Sequence, residues 1–440
     1  MELNAKKERK HYACDVSEQA LSFSKLKELS DSKWLVEEAG GAGLLFSNHM
    51  LDYYLDEEYR HGKTVLTSEN DDLKSKSSGE RKKLLLDYQL KQQPSFLILD
   101  NPFDALDVEK VAWFRKKLQE LATTTTLIQL YRREEDLLPF INTGLVYEEK
   151  AFRETELKRS KVELEANSQG IKRKQLLTSR PFVQHLNLDY RVNSVVSKIP
   201  QPLEHYEQVP ESLIKFDKVS VSFNGKPIIN TISWEVKKGE AWHLKGPNGS
   251  GKTTLLSMIT GDNTKGYGKE LYIFGRKKGS GESVWEIKQK IGYFTITMTE
   301  RFDGMHTVLE MVISGLHDSV GLYQKPTTLE ITRAEEWIEL IGLTNLKLKA
   351  FRTLDEVQKR LVLIARAMIK HPPLLILDEP TSSLNTQGAQ LLVNLINKIA
   401  GASKTAILYV SHRDEDGLDF ENVLELEPSQ TGSRAVFKQN

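Results

Sequence analysis

Cysteine is almost absent from this chain of 440 residues. The one thiol, Cys14, has no partner for an internal disulfide, which fits a reducing compartment. Also missing is any apolar run near the roughly 18 residues that a membrane-spanning helix needs. The opening M-E-L-N-A-K-K-E-R-K-H contains no apolar segment of the secretory kind. Net charge is missing too: 61 basic side chains balance 61 acidic ones, so bulk electrostatics favour neither nucleic acid nor a membrane surface. These absences point to a cytoplasmic protein without a membrane span, peripheral at a membrane only through a partner. The remainder is ordinary, with 39% hydrophobic and 28% charged residues over a length that allows two or three cores.

Chemistry concentrates in the second half. Residues 213–223 alternate as a strand does, and N-G-K at 224–226 is a hairpin turn signal. A-W-H-L-K (241–245) then runs as a short strand into G-P-N-G-S-G-K-T-T and a helix-like L-L-S-M-I-T-G. Gly246, Gly251, Lys252 and Thr253 satisfy the phosphate-loop pattern G-x-x-x-x-G-K-[ST] in the strand–loop–helix setting it requires. The cradle is expected to run from Gly246, Pro247, Asn248 and Gly249 through Ser250 and Gly251 to Thr254, its backbone N–H groups turned toward phosphate oxygens. Lys252 reaches the outer phosphates, and Thr253 offers a hydroxyl to magnesium.

A second anchor is P-P-L-L-I-L-D-E-P (372–380), four apolar residues ending in two carboxylates. Such a run describes a buried parallel strand whose C-terminal end faces a ligand crevice. Asp378 is suited to hold magnesium through water, and Glu379 to take a proton from, or polarise, an attacking water. His412 closes the next strand, T-A-I-L-Y-V-S-H, where it can bond a γ-phosphate.

The first half repeats part of this pattern. Ser77 precedes Asp100 by 23 residues, and Asp355 precedes Asp378 by 23, so a helix and the strand after it share one register in both halves. Around these positions the halves differ. K-S-S-G-E places Ser77, Ser78, Gly79 and Glu80 where the second half has L-D-E-V-Q, and F-L-I-L-D-N-P places Asn101 where it has Glu379. An amide cannot take a proton. Arg132 stands at the place of His412, and the tempting H-G-K-T (61–64) has Glu57 where the first loop glycine belongs. The 76 residues before Ser77 leave little room for a complete nucleotide-binding subdomain.

The phosphate loop, the L-L-I-L-D-E-P strand and the histidine together resemble the ATP-binding cassette (ABC) ATPases over 213–440. The resemblance implies an α/β fold: a P-loop NTPase cassette with a helical subdomain at 300–350, preceded by a truncated, degenerate cassette. It implies ATP and Mg2+, makes Lys252, Glu379 and His412 the catalytic set, and makes Phe223 the adenine-stacking ring. In the family an L-S-G-G-Q signature binds the γ-phosphate held by the opposite cassette. At L-D-E-V-Q, two carboxylates would face that phosphate; unit charges about 4 Å apart at an effective dielectric near 20 interact by roughly 4 kcal/mol. That repulsion outweighs the roughly 0.3–1 kcal/mol by which a helix N-terminus favours anions. Asp355 instead reads as a helix cap, with Asp355 and Gln358 forming a capping box. The intact signature is then Ser77, Ser78, Gly79 and Glu80, and the resemblance pairs it within one chain with the phosphate loop of the other half.

Two further departures bear on coupling: Ile296 replaces the family's glutamine after I-G-Y-x-x, and Asn385 the aspartate of S-x-L-D. The stretches 261–293 and 314–324 narrow the resemblance to the tandem-cassette ATPases of the molybdate-transport and photorepair group. Members of that group carry two phosphate loops and a second signature, so two-site activity does not transfer, and no separate oxyanion pocket implies molybdate. The expected division is 1–149 as the degenerate half, 150–212 as a charged linker with helix at its start, and 213–440 as the ATPase. I-K-R-K (171–174) in that linker is a short solvated basic run rather than a nucleic-acid site. A soluble ATPase acting on a transporter subunit or another protein partner leads. An importer's energising subunit, a nucleic-acid or repair protein, and an ATP-dependent regulator or sensor remain as alternatives.

Overall fold

Strands buried on both faces need helices on both sides, and F-L-I-L-D and L-L-I-L-D impose that architecture twice. The computed structural model describes residues 9–16, 23–61, 65–67, 73, 76, 78–104, 106, 108–148, 151–157, 198–301 and 304–439. Packing divides the chain into two units, Met1–Asp189 and Tyr190–Asn440.

The first unit runs β1 (Tyr12–Asp15), α1 (Phe23–Ser30), α2 (Lys33–Ala39), β2 (Gly43–Phe46), α3 (Asn48–His61) and α4 (Ser78–Lys91). It continues through β3 (Phe96–Asp100), α5 (Val108–Leu121), β4 (Thr126–Tyr131), β5 (Thr143–Glu148) and β6 (Ala151–Glu156). The sheet order is β2-β3-β4-β1-β5-β6, parallel except for β6. Leu97 and Leu99 face a core with Leu85 and Phe114, while Phe96 and Ile98 face another with Tyr12 and Leu26. That is the two-residue period of a strand with helices on either side.

The second unit opens with the hairpin β7 (Ser212–Phe223) and β8 (Lys226–Lys237). Its two turn residues, Asn224 and Gly225, both have positive φ, as the N-G signal requires. Next come β9 (Ala241–Lys245), α6 (Lys252–Thr260), β10 (Leu271–Ile273), β11 (Arg276–Lys277), α7 (Val284–Gln289), β12 (Ile291–Thr295) and α8 (Thr297–Arg301). The helices α9 (Val308–Ile313), α10 (Thr328–Leu340) and α11 (Glu356–Met368) precede β13 (Leu374–Asp378), α12 (Thr386–Ala402), β14 (Ala406–Ser411), β15 (Asn422–Glu427) and β16 (Arg434–Gln439). An antiparallel sheet, β11-β10-β7-β8, lies beside a six-stranded sheet ordered β12-β13-β14-β9-β15-β16. Leu375 and Leu377 pack toward the helical subdomain around Trp337 and Ile338, and Leu374 and Ile376 toward α6 and the antiparallel sheet. This is the expected P-loop cassette with its helical subdomain.

Strand for strand, the two six-stranded sheets have one order, with β1 at the place of β9. The first unit is therefore less truncated than its length before Ser77 implied. In chain order β1 and α1 stand where the second unit has β9 and α6, and residues 17–22 between them lie outside the described residues. Among the described residues the first unit has no counterpart of the antiparallel sheet. H-G-K-T after His61 and I-K-R-K fall outside the described residues.

Both ends of the expected linker need correction. Residues 151–156 form a strand rather than a helix, because pairing with β5 covers an otherwise open sheet edge and overrides a weak helix propensity. At the other end, Ile199 is buried in the helical-subdomain core, and the Tyr206 hydroxyl donates to the Gln289 carbonyl at 2.8 Å. Residues 198–212 belong to the second unit's packing.

The repeat also explains Val357. In the first unit Gly79 is buried, and a Cβ there would lie 2.3 Å from Lys110 Cδ. In the second unit the sizes are exchanged: Val357 occupies the place of Gly79, and Gly388 that of Lys110, with Val357 Cγ2 only 2.6 Å from a Cβ built on Gly388. One crossing holds one large side chain, contributed from opposite helices. Gly388→Lys should therefore cost about 1–3 kcal/mol through overpacking. Urea unfolding should find the Val357→Gly/Gly388→Lys double variant more stable than Gly388→Lys alone; additive losses would show that the two positions share no space.

Candidate nucleotide-hydrolysis site

The site is built at the C-terminal ends of parallel strands, where β9, β13 and β14 stop at matched registers. Asp378 pairs with Val410, and Ser411 with Lys245. After Lys245 the chain bends through Gly246, Gly249 and Gly251, all with positive φ, and α6 begins at Lys252. A Cβ on Gly246 would lie 2.9 Å from the Leu426 carbonyl oxygen, and one on Gly251 would lie 2.7 Å from Ile229 Cγ2. Only glycine permits this close approach.

Within the loop, Lys252 is buried and folds back, its ammonium donating to the Gly246 carbonyl at 2.5 Å and the Pro247 carbonyl at 3.3 Å. Ser250 Oγ is buried without a hydrogen-bond partner, the kind of orphaned donor that a phosphate oxygen satisfies. Thr253, one residue into α6, is exposed. Phe223 lies at the end of β7, its ring half-exposed with the Lys265 ammonium 5.6 Å from the centroid.

Two adjacent carboxylates close β13. Burial, reinforced by the neighbouring Glu379 and partly offset by Lys252, pushes Asp378 up to about 6. Glu379 has a left-handed backbone, φ +52, and its N–H donates to the Val410 carbonyl at 2.9 Å. Its carboxylate lies 3.0 Å from Nδ1 of His412, measured to either oxygen. The sequence thus brings together Lys252, Asp378, Glu379 and His412 on one rim, as expected.

The substituted family positions have plain structural roles. Asp355 caps α11: its side chain accepts from the Gln358 N–H at 2.8 Å, while Gln358 Oε1 accepts from the Asp355 N–H at 3.2 Å. The capping box read from the sequence is present. Asn385 caps α12 by accepting from the Gly388 N–H at 2.7 Å, work that an aspartate would do equally well. Ile296 offers only its carbonyl, which the Thr299 N–H and hydroxyl both reach.

The first unit keeps the turn at the end of its β3 strand with different side chains on it. Asn101 has φ +46 and donates its N–H to the Leu130 carbonyl at 3.2 Å, echoing Glu379. The Arg132 guanidinium lies 3.8 Å from Asp100, whose carboxyl burial holds above its ordinary range. Helix α4 starts at Ser78, with Gly79 buried and Glu80 exposed, and Ser77 lies outside the described residues.

Several supporting residues escaped motif reasoning. Arg360 donates to the Pro380 and Ser382 carbonyls at 2.8 and 2.6 Å, and Lys82 donates to the matching Pro102 and Asp104 carbonyls at 3.4 and 2.7 Å. Both lie five residues after the aligned Asp355 and Ser77, a periodic signal that the repeat contained. His243, on the strand before the loop, shares a 2.8 Å hydrogen bond with Ser411 and is pushed down to about 4 by burial. Thr381 and Glu415 also belong to this group.

Asp378 gives the site a pH signature. Its folded pKa lies above that of a free carboxyl, so folding favours its protonated form. The group's favourable contribution is complete below about pH 4 and is lost as pH rises through about 6. Asp378→Asn removes the charge, and should stabilise the nucleotide-free protein at pH 8 by on the order of 1–3 kcal/mol. Urea unfolding at pH 8, 6 and 4.5 should show that gain shrinking as pH falls; a constant or growing gain would contradict the assignment.

Residues 229–382 match the family model described as ABC transporter. The ABC transporter ATP-binding protein ModF of Escherichia coli (strain K12) is 35% identical over 346 residues, covering 77% of this chain and 67% of that protein. An uncharacterized ABC transporter ATP-binding protein, C323.04 of Schizosaccharomyces pombe, is 26% identical over 94% of this chain and 80% of its own length. Among solved structures, cbiO1 from Clostridium perfringens is 21% identical with a TM-score of 0.46, covering 52% of this chain and 89% of that one. With the phosphate loop, the paired carboxylates and the histidine gathered on one sheet edge, the chain belongs to the ABC transporter ATP-binding proteins and is an ATPase.

Proposed function

We propose that this chain hydrolyses ATP at a single composite site, formed by the phosphate loop of the second unit and the signature of the first. The observation that carries the reading is the Glu379–His412 pair next to Asp378 on the rim of the phosphate loop. Phe223 stacks the adenine. The amides of 246–254 and the Lys252 ammonium bind the phosphates, and the orphaned Ser250 hydroxyl gains a partner. Thr253 and Asp378 suit magnesium, an oxygen-seeking cation that would offset the burial of the Asp378 carboxylate. A magnesium ion held there would supply positive charge against that developing on the phosphate oxygens. Glu379 orients the attacking water and takes its proton. His412, held against Glu379, aims its other ring nitrogen at the γ-phosphate.

The composite arrangement rests on complementary losses. The half with Asn101 and Arg132 lacks a phosphate loop, and the half with that loop has Asp355, Glu356 and Val357 as its signature. The remaining parts make one full set: Ser77, Ser78, Gly79 and Glu80 with the 246–254 loop. Gly79 is buried against Lys110, so its own contribution would come through its backbone amide. The nucleotide cycle then acts on a protein partner. Ile296, which cannot replace a glutamine side chain, argues against conventional transport coupling, and the balanced charge argues against nucleic acid.

Steady-state ATPase activity tests this directly. Glu379→Gln and Lys252→Ala should each lower kcat by at least about 100-fold. Ser77→Arg should do likewise, while specific activity stays constant as protein concentration rises. Wild-type turnover in Ser77→Arg would remove the composite site, and specific activity climbing steeply with concentration would replace the single-chain site with one shared between chains.

A further inference from the structure

Glu379 occupies a backbone conformation that a glutamate rarely adopts, and such strain persists only where surrounding bonds over-determine it. Several of those bonds are common to both units. The N–H bond to the neighbouring strand and the Arg360 or Lys82 clamp hold Glu379 and Asn101 alike. One bond is not common. Thr381, two residues after Glu379, donates its hydroxyl to Glu415 Oε1 at 2.6 Å, and the same hydroxyl lies 2.8 Å from the Tyr409 hydroxyl. Glu415 is buried and also pairs with Arg413 Nε at 3.3 Å.

The position of Thr381 in the first unit is Phe103, which has no hydroxyl and lies under the Arg115 guanidinium at 4.7 Å. So the unit with the catalytic glutamate has the hydroxyl–carboxylate tie, and the unit with asparagine has an aromatic ring in its place. The strained turn needs no such tie to exist. What the tie joins is the turn after Glu379 and the turn that carries His412, the two segments whose side chains must meet at 3.0 Å. From below, His243 bonds Ser411, whose hydroxyl donates to the Arg413 carbonyl.

We propose that Glu415 is a positioning residue for hydrolysis, holding the Glu379 and His412 turns as one unit through its bond from Thr381. Its carboxylate meets Thr381 and Arg413 and acts through them, and the proposal rests on Glu379 and His412 acting as described above. Losing the tie lets the pair drift while the phosphate loop stays intact, so kcat suffers and binding does not.

The test uses the full chain with Mg·ATP for turnover and a fluorescent ATP analogue for binding. Glu415→Ala should lower kcat roughly 10- to 100-fold with KM and analogue affinity nearly unchanged. Glu415→Gln, whose amide oxygen still accepts from Thr381, should recover most of the rate. Thr381→Val, nearly isosteric, should reproduce the alanine effect, and the double variant should add nothing further. Wild-type kcat in Glu415→Ala or Thr381→Val would overturn the proposal. So would a loss confined to binding, or a glutamine variant as slow as alanine. If Glu415→Ala fails to fold, Thr381→Val with Glu415→Gln decides. Absence of turnover in the wild type would instead strike the function itself, which separates the two failures.

Discussion

Two carboxylates next to each other at the end of a strand buried on both faces are the constraint to which the site answers. Burial at the end of β13 makes ionisation of Asp378 costly, and like charge beside it makes it costlier still. Each surrounding feature offsets part of that cost. Lys252 folds into the loop close enough to lower the Asp378 pKa, and His412 caps the Glu379 carboxylate. The left-handed turn at Glu379 directs its side chain away from the line of β13, so the two acids reach different partners. The cation and polyphosphate proposed for this site would offset the part of that cost the protein alone does not.

The first unit solves the same constraint by deletion. Asn101 removes one charge, and the Arg132 guanidinium beside Asp100 brings a fixed cation of its own. The sheet order and the turn persist while these side chains change. Conservation of architecture with exchange of chemistry is also what Gly79–Lys110 and Val357–Gly388 display at the helix crossing. The signature glycine therefore has a packing cause within its own unit. The bulk of Val357 and the absence of a side chain at Gly388 are one packing arrangement seen from two helices.

Much of this was legible in the sequence where the signal is local. The phosphate loop, β13, His412 and the Asp355 capping box each depend on residues close in the chain, and the matched 23-residue spacing exposed the repeat. Short strands were harder. Tyr12–Asp15 and Gly43–Phe46 are four residues each, and nothing in their own composition separates them from loops; pairing with β4 and β3 makes them strands. The Ala151–Glu156 strand reads as helix because its charges favour helix, and only the open edge of β5 decides otherwise. The buried ties, Thr381 with Glu415 and His243 with Ser411, join residues 34 and 168 positions apart. No window along the chain contains both ends of either.

The composite-site proposal gives the first unit a task distinct from the chemistry of Glu379 and His412. A phosphate loop presents one face of a polyphosphate to its own unit and leaves the other face to whatever approaches it. Anything closing on that face must offer hydroxyls and amides rather than carboxylates, since charge repulsion there is several times a helix terminus's attraction. Asp355 and Glu356 exclude a second copy of the same unit from that role. A unit with Ser78 and Gly79 at its helix start meets the requirement without needing any chemistry of its own. Under the composite-site proposal the first unit's part is to present that helix N-terminus, a task that asks nothing of Asn101 and Arg132.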